Sequence, residues 1–321
     1  MKTYFSVAFV FFFAAAWAQP VPAEEENIPF LVTFGKDADR SWGDDDYCQT
    51  FFFSLPEDFK EPFYIRVFDP GCGGEIDELN EEFNTLTRFS VYGGQGCITN
   101  DDARATDPIG DYKSGNLLDT KVFGGKLDYD NSWYTFGPFN PGEGELSRKY
   151  GGNIFKIICE GIKGDDGNLY RYFMSTQPDK NVEVEGGNAF TFEYTFRLHK
   201  DPWQTSHIYP YIDDQVISVK QFNFDWDNDG YIKVYSVATL GEPFTLSGDD
   251  NWSQSTYKIK DRERGKSLDI QFTKNDQQMI NNNNVVFYVT NQYGELLPFY
   301  TVPIGGIPKY EGKAVARPIS K

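Results

Sequence analysis

The residues best placed to do chemistry are Asp225-Trp226-Asp227-Asn228-Asp229-Gly230. Carboxylates at alternate positions, closed by a glycine, let a tight turn aim several oxygens at one point. Calcium takes six to eight hard oxygen ligands, so Asp225, Asp227 and Asp229 are candidate ligands, with the Tyr231 carbonyl or water completing the shell. The competing reading is an acidic hairpin tip, where Asn228, Asp229 and Gly230 simply make the turn.

The spacing resembles the start of an EF-type loop over these residues alone. Position twelve is Ser236, where that motif wants a bidentate Glu. The flanks, Phe222 with Phe224 and Tyr231 to Val237, read as strands. The segment is therefore more similar to calcium-binding hairpins of extracellular β proteins, with an expected dissociation constant of about 10⁻⁴ to 10⁻³ M. Asp128-Tyr129-Asp130-Asn131-Ser132 keeps the alternation without the third Asp or the Gly. Asp44, Asp45 and Asp46, and the loop Asp69 to Asp77, read as solvated acidic tips.

Signatures of catalysis are missing. The chain has no Gly-x-Ser-x-Gly elbow, no His-Glu-x-x-His helix and no Gly-Lys-Ser/Thr phosphate loop. His199 and His207 are its only histidines, and a lone His near Asp201 or Asp213 reads as structural. A glycoside hydrolase needs only two facing carboxylates. The 48 acidic residues neither reveal nor exclude such a pair. Trp203, Tyr209, Tyr211, Trp226, Tyr231 and Trp252 could stack on sugar rings; the alternative is that they pack a core.

Charge narrows the partners. With a net charge of −18 the surface repels phosphate backbones, so nucleic acid is excluded, and anionic lipid is disfavoured. Residues 1–18 read as a Sec-type signal peptide: Lys2, an apolar run from Tyr4 to Trp17, then Ala16-Trp17-Ala18 before Gln19. That run is shorter than the roughly 20 residues a spanning helix needs, and no later segment is long enough. Export to an oxidising compartment turns Cys48, Cys72, Cys97 and Cys159 into two expected disulfides, with three possible pairings.

The elements that must position these groups are strands. Phe63, Ile65 and Val67 alternate with Tyr64, Arg66 and Phe68, and the same period of two runs from Phe190 to Leu198 and from Leu268 to Phe272. The best helix candidate, Glu75 to Phe83, is brief. Asp165 to Asn168 and Arg262 to Gly265 read as hairpin turns. Residues 19–29 read as a linker, 30–177 as a disulfide-containing sandwich, 180–305 as a second sandwich and 306–321 as an extended basic tail. The expected class is all-β, two antiparallel, jelly-roll-like sandwiches in tandem.

This predicts a secreted binding or scaffold protein of the cell envelope or extracellular space, without catalytic activity and with calcium as a candidate stabiliser. Its expected partner is an envelope or extracellular protein, with a glycan as an alternative. The alternative functions are a carbohydrate-binding module or surface adhesin, and a glycoside hydrolase.

Overall fold

The structure, a computed structural model, describes residues 28–39, 47–124, 127–202, 204–274, 283–301 and 306–307. The expected signal peptide, most of the expected linker, Asp44 to Asp46, Trp203 and the tail beyond residue 307 lie outside these. The chain is all-β. An eight-stranded antiparallel sheet has the order β18 (Trp252–Lys258), β15 (Ser218–Phe224), β21 (Asn284–Asn291), β12 (Glu193–Arg197), β1 (Phe30–Phe34), β9 (Gly167–Ser175), β3 (Phe63–Phe68), β6 (Trp133–Phe139). A second sheet has the order β22 (Phe299–Thr301), β11 (Asn188–Thr191), β2 (Cys48–Leu55), β8 (Gly152–Lys163), β4 (Leu86–Gly93), β5 (Asn116–Phe123), with β7 (Glu145–Ser147) beside β8. A third has the order β13 (Thr205–Ile208), β20 (Asp269–Lys274), β16 (Gly230–Tyr235), β17 (Leu240–Pro243). Two short pairs complete the set, β14 (Tyr211–Ile212) with β19 (Lys266–Ser267), and β10 (Val184–Glu185) parallel to β23 (Gly306–Ile307). The expected tail thus begins as a strand.

The two halves repeat one plan. In the first, β1, β9, β3 and β6 face β2, β8, β4 and β5. In the second, β12, β21, β15 and β18 face β13, β20, β16 and β17. In chain order β1 matches β12, β2 matches β13, β3 matches β15 and β4 matches β16. Likewise β5 matches β17, β6 matches β18, β8 matches β20 and β9 matches β21. The repeats meet where β1 pairs with β12, Leu31 opposite Phe196, so one sheet serves both. The β2–β11 ladder also crosses the expected division near Pro178, and one core cluster extends from Leu31 and Phe89 to Phe272 and Phe287.

Period two succeeded within strands and misled between them. Phe63, Ile65 and Val67 are buried as the alternation requires, as are Leu268, Ile270 and Phe272. The run from Phe190 to Leu198 is two strands. Phe190 and Phe192 pack with Phe52 on one cluster, whereas Tyr194, Phe196 and Leu198 join the main core. The chain steps between sheets at Phe192, keeping the pattern while changing the partner.

The expected hairpin at Asp165 to Asn168 is a crossover. The strand before it, β8, lies in the second sheet, and the strand after it, β9, lies in the first. Asp166 is buried and accepts the amides of Asn80, Asn84 and Thr85 at 2.8–3.1 Å, so this turn is an anchor for another loop. Arg262 to Gly265 likewise joins β18 to β19 and β20, which do not pair with β18. Glu75 to Phe83 forms no helix. Asp77 is used instead to hold the Gly73 and Leu169 amides at 2.6 and 2.7 Å.

The two expected disulfides are not formed: Cys48, Cys72, Cys97 and Cys159 are free and buried. Cys48 faces Glu160 across the β2–β8 ladder and Cys159 faces Gln49, so their side chains leave opposite faces of the sheet and cannot join. Cys97 packs with Cys48, Tyr92 and Ile158, and its thiol donates to the Tyr92 carbonyl at 3.6 Å. Burial pushes the Cys97 and Cys159 thiols up to about 12, out of the reactive range.

Candidate functional site

The segment 225–230 joins β15 of the large sheet to β16 of the third, so it is a corner between sheets and not a hairpin tip. Asp225, Asp227 and Asn228 all have left-handed φ, at 56, 59 and 54°. Asp and Asn tolerate this region better than other residues with a Cβ. Gly230 ends the corner at φ 145°, where a Cβ would lie 2.1 Å from the Thr273 carbonyl oxygen. Behind it, Trp226 is fully buried, packs on Phe272, and donates its amide to Ser247 Oγ at 2.9 Å.

Asp225 and Asp227 converge as the spacing suggested. Their third companion is Asp249, whose ligand oxygen lies with theirs inside a span of 4.8 Å. Asp249 comes from the turn before β18, and the next residue, Asp250, donates its amide to Asp225 Oδ1 at 3.2 Å. Burial, followed by the charges of Asp227, Asp250 and Asp249, pushes the Asp225 carboxyl up to about 7, against the pull of that amide. Asp227 is raised by burial and then by Asp249, Asp229 and Asp250. Three acids held together in this way favour a hard cation.

Asp229 turns the other way. It is fully buried, 3.5 Å from Lys274 Nζ and 3.3 Å from Asn283 Nδ2, while its Oδ1 has no hydrogen-bond partner. Tyr231 is half exposed, and its backbone belongs to β16, opposite Thr273. The structure therefore groups two of the residues marked in the sequence with one that was not. The acidic turn Asp249-Asp250-Asn251 carried the available signal, but its distance along the chain concealed it.

A second feature lies on the outer face of the same sandwich. Phe222 and Tyr288 stack with centroids 4.5 Å apart, and Trp252 packs on Tyr288 at 5.5 Å while remaining 40% exposed. Phe222 and Tyr288 floor a groove of ≈ 780 Å³, walled by Ala105, Thr106, Gln292 and Tyr293. Of the other marked aromatics, Trp226 belongs to the core and Tyr209 stacks on His207. His207 Nδ1 is 2.7 Å from Asp269 Oδ1 across the β13–β20 ladder.

No helix among the described residues is long and apolar enough to cross a membrane. No protein-family model matches the chain, and no curated protein matches it. Among solved structures, the CUB1-EGF-CUB2 region of human MASP-1/3 overlaps 81% of this chain and 99% of its own, at 10% identity and a TM-score of 0.20. A T13 particle structure of the virus IBDV overlaps 79% of this chain and 72% of its own, at 11% identity and a TM-score of 0.18. Overlaps this loose carry no argument about what the chain does.

Proposed function

We propose that the chain is a non-catalytic extracellular or envelope binding and scaffold protein whose second sandwich is ordered at one corner by calcium. The observation that carries this reading is the convergence of Asp225, Asp227 and Asp249 within 4.8 Å. Without a cation these acids repel one another; with one, the β15–β16 corner and the turn before β18 become a single unit. The leader-like start of the sequence and its acidic surface support export and a protein or neutral partner. Thermal melting in chelator and in millimolar calcium tests the site. Wild type should rise with calcium, and Asp227→Ala and Asp249→Ala should lose most of that shift. An unchanged wild type would sink the calcium reading. A stable complex recovered with native neighbours would support the scaffold role.

The aromatic groove favours one second reading, a glycan-binding face. Trp252 supplies exposed ring surface of the kind that stacks on sugars. The mutual stacking of Phe222 and Tyr288 uses one face of each ring and weakens the case. A glycan-array signal on isolated protein, lost in Trp252→Ala, would establish it over the scaffold reading.

A further inference from the structure

The corner that holds Asp225 has a counterpart in the first sandwich. Asp69 follows β3 as Asp225 follows β15, with φ of 54 and 56°. Trp133 opens β6 as Trp252 opens β18, and each packs on the last residue of the neighbouring strand, Phe68 at 5.3 Å and Phe224 at 5.2 Å. Asp130 and Asn131 precede Trp133 by the same steps as Asp249 and Asp250 precede Trp252, and Asn131 and Asp250 share left-handed φ of 52 and 54°. Asn168 Nδ2 donates to the Pro70 carbonyl at 3.0 Å, as Asn283 Nδ2 donates to the Trp226 carbonyl at 3.1 Å.

Homologous placement alone would not make a site. The independent observation is Asp69 itself: it is fully buried and neither carboxylate oxygen has a partner at hydrogen-bond geometry, the Asn131 amide acting on it only weakly enough to leave its carboxyl raised. A buried carboxylate left unpaired is costly, and proteins normally pair it or give it a metal. The contrast is with Asp166, whose buried carboxylate is held by three backbone amides. Asn168 Oδ1, also buried, is without a partner as well. Asp130 acts electrostatically on both Asp69 and Asp77, and Asp69 acts on Asp77. Asp130 closes over Gly74, whose φ of 102° favours glycine and where a Cβ would lie 2.0 Å from Oδ1. The opposing charge that acts on Asp69, Arg171, has its guanidinium over the Phe68 ring at 4.5 Å.

We propose that Asp69, Asp77 and Asp130 form a second site for a hard divalent cation such as calcium, built on the same plan as the Asp225 corner. Among the described residues only the Asp225 trio falls within 4.8 Å, so the first-sandwich acids stand wider. The proposal extends the reading of the Asp225 site but fails or survives separately.

The test is terbium luminescence titration of the full chain, with displacement by calcium. Wild type should bind two ions. Asp69→Asn and Asp130→Asn should each bind one, as should Asp227→Ala, which empties the other corner. In chelator Asp69→Asn should melt no lower than wild type, because the amide keeps the shape without the buried charge. Asp130 is half-buried, so its variant serves if Asp69→Asn misfolds. The proposal is overturned if both first-sandwich variants retain the wild-type stoichiometry, or if wild type binds one ion that Asp227→Ala removes. Ion binding that survives Asp227→Ala but not Asp69→Asn would keep this site and sink the Asp225 reading.

Discussion

The corner after β3 and the corner after β15 solve the same geometric problem with different exposure. Each turns the chain from one sheet to the other through an aspartate in the left-handed region, beside a tryptophan from the strand at the sheet's edge. In the first sandwich the loop runs on to Asp77, Asp69 is sealed from solvent, and the small Pro70 follows it. In the second, the loop is short, Asp225 remains half-buried, and the large Trp226 fills the core behind it. Duplicated topology therefore conserved backbone shape and acid placement, while packing and hydration were free to differ. The outer faces diverge similarly. Arg66 lies over the Trp133 ring at 5.1 Å, whereas the matching position in the second sandwich is Phe222, stacked on Tyr288.

The largest expected break in the symmetry is at the residue following each leading aspartate. Trp226→Ala should cost about 3–5 kcal/mol, the usual range for a large buried aromatic. Pro70→Ala should cost about 1 kcal/mol or less, chiefly through added freedom in the unfolded chain. Denaturant melts of both variants measure this. Equal losses would mean that the two corners bear on the core alike.

The asparagine clamps should differ less. Asn168 Nδ2 bonds both the Pro70 carbonyl and Thr87 Oγ1, at 3.0 and 2.9 Å, and Asn283 Nδ2 bonds the Trp226 carbonyl and, more loosely, Asp229. Alanine at either should cost about 1–3 kcal/mol by leaving buried polar atoms unmet, with Asn168→Ala the larger. A neutral result at Asn283 alone would show that the second corner is held by Trp226 packing.

The smallest effect is on pH dependence. Burial raises Asp69 to about 7 and Asp77 to about 8, with neighbouring acids adding to it, and raises Asp225 to about 7. A carboxyl raised on folding is favoured while protonated in the folded state. Its contribution is complete below its unfolded value near 4 and disappears as pH rises through the folded value. In chelator, stability should therefore fall between about pH 4 and pH 8. Asp69→Asn should flatten this slope more than Asp225→Asn, because water reaches Asp225 and screens it. Melting curves across that range decide it; a steeper slope in Asp69→Asn would contradict the burial argument.

Local chemistry was readable from the residues. Alternation at Phe63, Ile65 and Val67 identified a strand with one buried face, because side-chain direction in a strand depends only on parity. The run at Asp225 identified an acidic turn, though not that it is a corner between sheets, because few residues other than Asp, Asn and Gly accept left-handed φ. Parity does not name a strand's partner, so Asp165 to Asn168 looked like a hairpin although its flanking strands lie in different sheets. Nor does a sequence show which distant turn returns to a corner. Asp249 joins Asp225 because β18 pairs with β15, and Asp130 approaches Asp69 because β6 pairs with β3. The residue types and their spacing determined the strands, the acidic turns and the surface charge, all of which follow from neighbours along the chain. The duplication, the choice of Asp249 over Asp229 and the isolation of Asp69 came only from tertiary pairing, since long-range ladders alone decide which carboxylates share a space and which lose their water.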